Sequence, residues 1–137
     1  EGIYGNTDQG GLGDLIESVS VKELNQVNIS EDEMAILRQG FYQVVNGNGQ
    51  FNTGSAIGQG ASVTISAKTG TAETYTTTPS GEVVTAVNTN VVAYAPSDNP
   101  QIAVSVVLPN LTNQSSMTTK TIMREIINLY QSMYPMN

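Results

Sequence analysis

The stretch that decides the fold is "ASVTISAKTGTAETYTT", which runs from Ala61 to Thr77. It is rich in valine, isoleucine, threonine and tyrosine, which are the residues favoured in strands. A turn signal, "PSGE" at 79–82, follows it. Two further β-type runs come next, "NTNVVAYAP" at 88–96 and "QIAVSVVLP" at 101–109, separated by the turn signal "SDNP" at 97–100. The sequence therefore predicts an antiparallel β-meander.

Helical patterns lie on both sides of this meander. Before it, "SEDE" at 30–33 is a capping box, in which the first and last side chains bond to each other's backbone amides. Apolar residues then recur at helical spacing up to the stop signal "NGNG" at 46–49: Met34, Leu37, Phe41, Val44 and Val45. After the meander, a helix with more than one apolar stripe is predicted from about Met117 to Met133, and we expect it to lie on the sheet. Together these elements indicate an α+β fold.

The remaining regions carry weaker signals. Residues 1–13 are glycine-rich and are predicted as loop, and residues 14–29 are predicted as a short helix followed by a linker. Residues 50–60 form a second glycine-rich loop. This loop leads into a β-type run and no Gly-Lys-Ser/Thr follows it, so a nucleotide site is rejected.

Composition restricts the function. The chain has 137 residues, a length typical of one domain, and we interpret residues 1–137 as lying within one domain with no internal boundary. The net charge of -7 argues against nucleic acid and anionic membrane surfaces as partners. The sequence has no cysteine and no histidine, which excludes a Cys/His zinc site, a cysteine nucleophile and a Ser-His-Asp triad. We expect no cofactor and no metal.

Lys68 lies among small and hydroxyl residues, with no acid within four positions. On a strand, Lys68 and Gly70 project to one face, and Thr69 and Thr71 to the other. A glycine weakens a strand unless something must approach the backbone closely. An ammonium, two hydroxyls and open backbone amides together suit an anion, such as the terminal carboxylate of a peptide that lies along the strand edge. The alternative is a solvent-facing lysine on an ordinary strand.

The surrounding sequence resembles a known family. One part of the sequence is similar to the end of a class B penicillin-binding protein: "KTGTAE" at 68–73, preceded by "GQGASVTISA" and followed by "NVVAYAPSDNPQIAVSVV". The segments "ISEDEMAILRQGFYQVVNGNGQ" at 29–50 and "INLYQSMYPMN" at 127–137 also match the pattern of that family. The resemblance covers essentially the whole chain and makes residues 1–137 the C-terminal portion of one transpeptidase domain.

The resemblance implies a β-lactamase/DD-transpeptidase-like fold and a serine DD-transpeptidase. Such enzymes cross-link peptidoglycan stem peptides that end in D-Ala-D-Ala, and β-lactam antibiotics acylate the same serine. Of the family's motifs, Ser-x-x-Lys, Ser-x-Asn and Lys-Thr-Gly, the third matches Lys68, Thr69 and Gly70, and Thr71 extends it. By resemblance, Lys68 is catalytic and bonds to the second-motif serine. The Thr69 and Thr71 hydroxyls bind the substrate carboxylate, and the Thr71 amide faces the oxyanion.

The first motif of the family is absent from this sequence. No serine stands three positions before a lysine; those positions hold Val19, Ile65 and Met117. Ser97-Asp98-Asn99 spells the second motif, but we reject it because it follows Lys-Thr-Gly and has an ordinary explanation as a turn.

We therefore expect a C-terminal fragment that is inactive alone. Its nucleophile would lie on a missing upstream part of the same protein, present as a separate chain that supplies helical partners. The resemblance implies a place on the extracytoplasmic face of the bacterial membrane, anchored by a missing N-terminal segment. Other interpretations are a β-lactamase or penicillin-sensor domain of the same fold, and a non-catalytic acidic extracellular interaction domain in which Lys68 is incidental.

Overall fold

The computed structural model of the protein describes residues 2–7, 12–20, 22–112 and 115–136. The chain divides into two compact units, Glu1–Ser30 and Glu31–Asn137. Among the described residues, the three-stranded sheet and the helices belong to the second unit. The assignment of residues 1–137 to one domain stays a prediction.

The first unit contains an antiparallel hairpin of strands β1 (Gly2–Asn6) and β2 (Leu12–Ser18). Tyr4 lies opposite Leu15 in its register. The prediction of loop for residues 1–13 is therefore wrong at both strands, because hydrogen bonding between strands outweighs the local preference of glycine for loops.

The predicted short helix within residues 14–29 is also wrong. Residues 14–18 are strand, and residues 19–20 and 22–29 contain neither helix nor strand. Apolar neighbours such as Leu15 and Ile16 fit one turn of a helix as well as a strand, so their spacing did not separate the two. Residues 1, 8–11 and 21 of these predictions lie outside the described residues.

Helix α1 (Glu31–Asn46) begins directly after the predicted capping serine and has three acids in its first turn, where the helix dipole favours negative charge. It ends at the predicted stop signal. The Asn46 side chain continues beyond the helix, because its Nδ2 donates to the Ile65 carbonyl at 2.9 Å. This bond joins the end of the helix to the residue before the next strand. A single helical turn, α2 (Ser55–Gly58), lies within the region predicted as loop.

The predicted meander is confirmed. Strands β3 (Ser66–Thr77), β4 (Val83–Ala95) and β5 (Ile102–Leu111) form an antiparallel sheet in that order, so β3 is an edge strand of this sheet. Strand β4 begins earlier than predicted, at Val83, because all of residues 83–87 pair with β3. The predicted turn at 97–100 joins β4 to β5.

Two helices lie on opposite faces of the sheet. Helix α3 (Met117–Met133) has the predicted bounds, and its Thr119 hydroxyl bonds to the Thr89 hydroxyl of β4. Helix α1 places the Phe41 ring edge-on to the Tyr94 ring, with centroids 6.2 Å apart. Because alternate residues of a strand face opposite sides, α3 covers the odd-numbered face of β4 and α1 the even-numbered face.

The core lies between the sheet, α2 and α3. Burial there is complete or nearly so for Ile57, Ile65, Ala67, Val91, Ala93, Met123 and Ile127. On the face of the even-numbered β4 residues, in contrast, Val92 is 47% exposed, and Val107 of β5, which pairs with Asn90 and so lies on the same face, is 58% exposed. Among the described residues, no helix has the length and apolar character needed to cross a membrane.

Candidate active-site strand

The Lys-Thr-Gly segment lies on the edge strand β3. Lys68 pairs with Val92 and Gly70 with Asn90 across the antiparallel β3–β4 ladder. Lys68 is exposed, and Gly70 is half-buried on the same face. Thr69 and Thr71 belong to the opposite face. The structure thus presents the four predicted residues consecutively at the border of a sheet.

Lys68 is held by a backbone carbonyl. Its Nζ donates to the Thr69 carbonyl oxygen at 2.6 Å. Within the described part of residues 31–136, no carboxylate forms an ion pair with this ammonium. A cavity of about 450 Å³ borders Lys68 and is lined otherwise by α1 residues: Ile36, Leu37, Gly40, Phe41 and Val44. The positive charge therefore lies beside an apolar surface and lacks a carboxylate partner in this part of the chain.

The Lys68 ammonium and the Thr71 amide lie on the same side of β3. Residues 69 and 71 are two positions apart on a strand, so their backbone N–H and C=O groups point in the same direction within the sheet. Because Nζ is in contact with the Thr69 carbonyl, the ammonium lies on the side to which the Thr71 N–H points. A positive charge and a backbone donor therefore lie on the same side of β3, which is an arrangement suited to an anion.

The Thr69 hydroxyl already has a protein partner. Its Oγ1 lies 2.8 Å from the Thr53 Oγ1, in the loop between α1 and α2. The sequence carries no signal for Thr53, because the two threonines are 16 positions apart and the loop has no periodic pattern. Asn90 was missed as well. Its carboxamide occupies the space beside Gly70, as the strand register alone would have suggested.

Ser97 and Asp98 lie in the β4–β5 turn, as the turn interpretation predicted. The Ser97 N–H donates to the Thr64 carbonyl at 3.0 Å, and its Oγ accepts from the Ser66 hydroxyl at 2.9 Å. These contacts give the serine a structural role at the start of β3.

Comparison with known families identifies the chain. The sequence model described as "Penicillin binding protein transpeptidase domain" matches residues 3–128. The chain belongs to the penicillin-binding protein transpeptidase domain family. The resemblance inferred from segments along essentially the whole chain is thereby confirmed, and so is the α+β fold of that family.

Curated relatives and a solved structure match most or all of this chain. Penicillin-binding protein 2B of Streptococcus pneumoniae serotype 2 is 58% identical over 137 residues, which are 100% of this chain and 20% of the relative. Penicillin-binding protein 2A of Bacillus subtilis is 37% identical over 127 residues, covering 88% of this chain and 17% of the relative. A solved structure of penicillin-binding protein 2B from S. pneumoniae strain R6 superposes with a TM-score of 0.76 at 58% identity, covering 100% of this chain and 22% of the other. The chain thus spans about a fifth of the length of these relatives.

Proposed function

We propose that this chain is the part of a peptidoglycan DD-transpeptidase that carries the Lys-Thr-Gly motif. The enzyme joins stem peptides that end in D-Ala-D-Ala, and β-lactam antibiotics acylate it. Membership of the transpeptidase domain family supports this proposal. The observation that carries it is that the Lys68 ammonium contacts the Thr69 carbonyl and so lies on the side of the edge strand to which the Thr71 N–H points.

The reaction divides into two acyl transfers. A serine oxygen forms an ester with the penultimate D-Ala carbonyl carbon, the C–N bond to the last D-Ala breaks, and the serine proton ends on the leaving nitrogen. An amino group of a second stem peptide then forms an amide bond with the same carbonyl carbon, the C–O bond to the serine breaks, and a proton from the amine returns to the serine oxygen. With a β-lactam, the ring C–N bond breaks and the leaving nitrogen stays attached, so the ester persists.

Each residue of the motif has a proposed role at the strand edge. Lys68 supplies positive charge and a hydrogen bond to a serine of the second motif. Gly70 leaves room for close approach to the backbone. The Thr71 N–H donates to the oxyanion that develops on the attacked carbonyl. The hydroxyls of Thr69 and Thr71 bind the carboxylate of the substrate or drug.

The nucleophilic serine is proposed to lie outside these 137 residues. No Ser-x-x-Lys occurs in the sequence, and the chain spans 20% of a relative such as penicillin-binding protein 2B. The upstream part of the protein, present as a separate chain when the protein is clipped, covers the exposed apolar residues of α1 and of the even-numbered sheet face. We place the enzyme on the extracytoplasmic face of the membrane, anchored by an N-terminal segment.

Fluorescent penicillin tests this function in the full-length protein. We expect covalent labelling of the intact protein, and Lys68→Ala should slow acylation by about 10²–10³-fold, the usual cost of one preorganised donor in an active site. Lys22→Ala is the matched control, because Lys22 is exposed in the first unit and lies outside the motif. It should label at the wild-type rate.

The other outcomes separate the alternatives. An intact protein that takes no label would overturn the transpeptidase proposal and leave an interaction domain. Unchanged labelling of Lys68→Ala would make the lysine incidental. Label that is gained and then released rapidly by hydrolysis would identify a β-lactamase. A 137-residue chain that labels by itself would place the nucleophile within it, contrary to our proposal.

A further inference from the structure

Thr53 and Thr69 form a pair of hydroxyls that ties the α1–α2 loop to the proposed active-site strand. The two Oγ1 atoms lie 2.8 Å apart, at the usual distance for a bond between hydroxyls. Thr53 is exposed and Thr69 is half-buried. The loop residue therefore reaches the motif from outside the strand, and its hydroxyl meets the group to which we assign carboxylate binding.

The backbone on both sides of Thr53 is fixed. The Gly54 N–H donates to the Val44 carbonyl at 2.8 Å, and the Asn52 Nδ2 donates to the Gly47 carbonyl at 2.5 Å. A Cβ at residue 54 would lie 3.0 Å from the Val44 carbonyl oxygen, so a side chain there would crowd the contact that holds this loop. The backbone that carries Thr53 is thus held to the C-terminal end of α1 and the residue that follows it.

A hydroxyl has one proton to donate, and this limits what the pair can do. If Thr69 donates to Thr53, its proton is used within the protein. If Thr53 donates to Thr69, the Thr69 proton is available for a carboxylate, and the two bonds in sequence strengthen each other. A carboxylate accepts only, so its arrival selects the second arrangement.

We infer that Thr53 is a positioning residue, which donates to Thr69 and thereby orients the Thr69 hydroxyl towards the carboxylate of the substrate or drug. This inference rests on the proposed function, because it assigns a purpose to one of the groups at that site. Thr53 itself does not touch the reacting atoms.

Second-order rates of acylation by benzylpenicillin, measured on the full-length protein, provide the test. Thr53→Val keeps the branched shape and removes the hydroxyl; it should slow acylation by roughly three- to tenfold, the range for one neutral hydrogen bond. Thr53→Ser should restore the rate. Thr77→Val, which changes an exposed threonine at the far end of β3, is the matched control and should leave the rate unchanged.

Two further readouts distinguish positioning from a merely structural role. In a Thr69→Val background, Thr53→Val should cause no additional slowing, because the group through which it acts is gone. The methyl ester of benzylpenicillin lacks the anionic carboxylate, so its rate should change less on Thr53→Val than the rate of the free acid. Equal slowing of acid and ester, additive slowing in the Thr69→Val background, or no slowing at all would each overturn the inference.

The Lys68→Ala variant, measured in parallel, separates this inference from the proposed function. If the wild-type protein is acylated and Lys68→Ala is not, while Thr53→Val behaves as wild type, the role of Thr53 fails and the transpeptidase stands. If the wild-type protein is not acylated, both fail. Thermal unfolding of every variant, followed by circular dichroism, shows whether a slower acylation rate results from a loss of folded structure. If Thr53→Val does not fold, the acylation rate of Thr53→Ser is the one to compare with wild type.

Discussion

The carboxamide of Asn90 lies over Gly70. The two residues face each other across β3 and β4, and a Cβ on Gly70 would overlap the Asn90 Oδ1 and lie 2.9 Å from its Nδ2. Asn90 can hold this position only because residue 70 has no side chain. The glycine of the Lys-Thr-Gly motif therefore has a packing reason within the sheet, in addition to the open backbone that the proposed function calls for at the strand edge.

Gly70→Ala should destabilise the full-length protein by about 1 kcal/mol, the lower end of the cost of overpacking, because the new methyl group meets the movable end of the Asn90 side chain. The added methyl group must displace the Asn90 side chain or bend β3. Denaturant titration followed by circular dichroism measures the change in the free energy of unfolding. The penicillin acylation rate should fall as well, because β3 carries Lys68.

Asn90→Ala should suppress this loss of stability, since it removes the atoms that the new methyl group meets. The double variant should be more stable than Gly70→Ala alone. Ala72→Ser adds one atom to the same face of β3, where residue 72 is exposed, and as a control should change stability by less than about 0.5 kcal/mol. Strictly additive effects of the two substitutions would show that Asn90 is not what excludes a side chain at residue 70.

Thr119→Val should cost about 1–3 kcal/mol, the penalty for leaving a buried polar group without a partner. The Thr119 hydroxyl bonds to Thr89 between α3 and β4, and both residues are fully buried. The free energy of unfolding of the full-length protein checks the prediction.

Replacing both threonines by valine should be nearly neutral, because both hydroxyls then leave together and the shape is kept. Thr85→Val, at an exposed position of β4, is the control and should stay within about 0.5 kcal/mol of wild type. A double variant that loses as much stability as the two single variants together would contradict the role assigned to this pair.

The sequence predicted the elements whose signals are local and repeated. Helix α1 has a capping box, a 3.6-residue apolar period and a glycine stop, and α3 has a long apolar pattern; the bounds of both agree with the structure. The β-meander was predicted from its β-branched runs and turns. The N-terminal hairpin was not, because its strands hold glycine and its apolar residues fit two periods equally well.

The candidate site was predictable only in part. Lys68 to Thr71 are consecutive, so strand alternation and a family motif sufficed to select them. Thr53 and Asn90 reach the same strand from a loop and from the next strand, and their contacts depend on the register and on backbone bonds around Gly54. Spacing along a chain contains no signal for such pairs, which arise from tertiary packing.

Arg124→Met should destabilise the protein by about 1.5–3 kcal/mol, in the range for hydrogen bonds made by charged groups. The Arg124 guanidinium donates to the Gln59 carbonyl at 2.9 Å and to the Ala56 carbonyl at 3.4 Å, and so joins α3 to the end of α2. Methionine keeps the apolar stem and removes these donors. Denaturant titration of the full-length protein gives the difference in the free energy of unfolding between this variant and wild type.

Glu125→Gln is the informative comparison for Arg124. The Arg124–Glu125 ion pair has an Nη2–Oε1 distance of 2.7 Å, but the Glu125 side chain is 60% exposed. An exposed ion pair contributes about 0–1 kcal/mol, so we expect Glu125→Gln to cost less than Arg124→Met. If the two variants lose equal stability, the ion pair rather than the carbonyl contacts accounts for the effect.

Asn128→Asp should destabilise the segment that leads into β3. The Asn128 Oδ1 accepts from the Ser62 N–H at 2.8 Å and from its hydroxyl at 2.9 Å, while Nδ2 donates to the Gly60 carbonyl at 3.0 Å. Aspartate can keep the first two contacts, but it places a charged oxygen next to the Gly60 carbonyl oxygen. We therefore expect the free energy of unfolding, measured by denaturant titration, to fall by about 1–3 kcal/mol. Ser62→Ala removes one hydroxyl contact and should cost about 0.5–1.5 kcal/mol. A stability of Asn128→Asp equal to wild type would mean that the Gly60 contact does not hold this segment to α3.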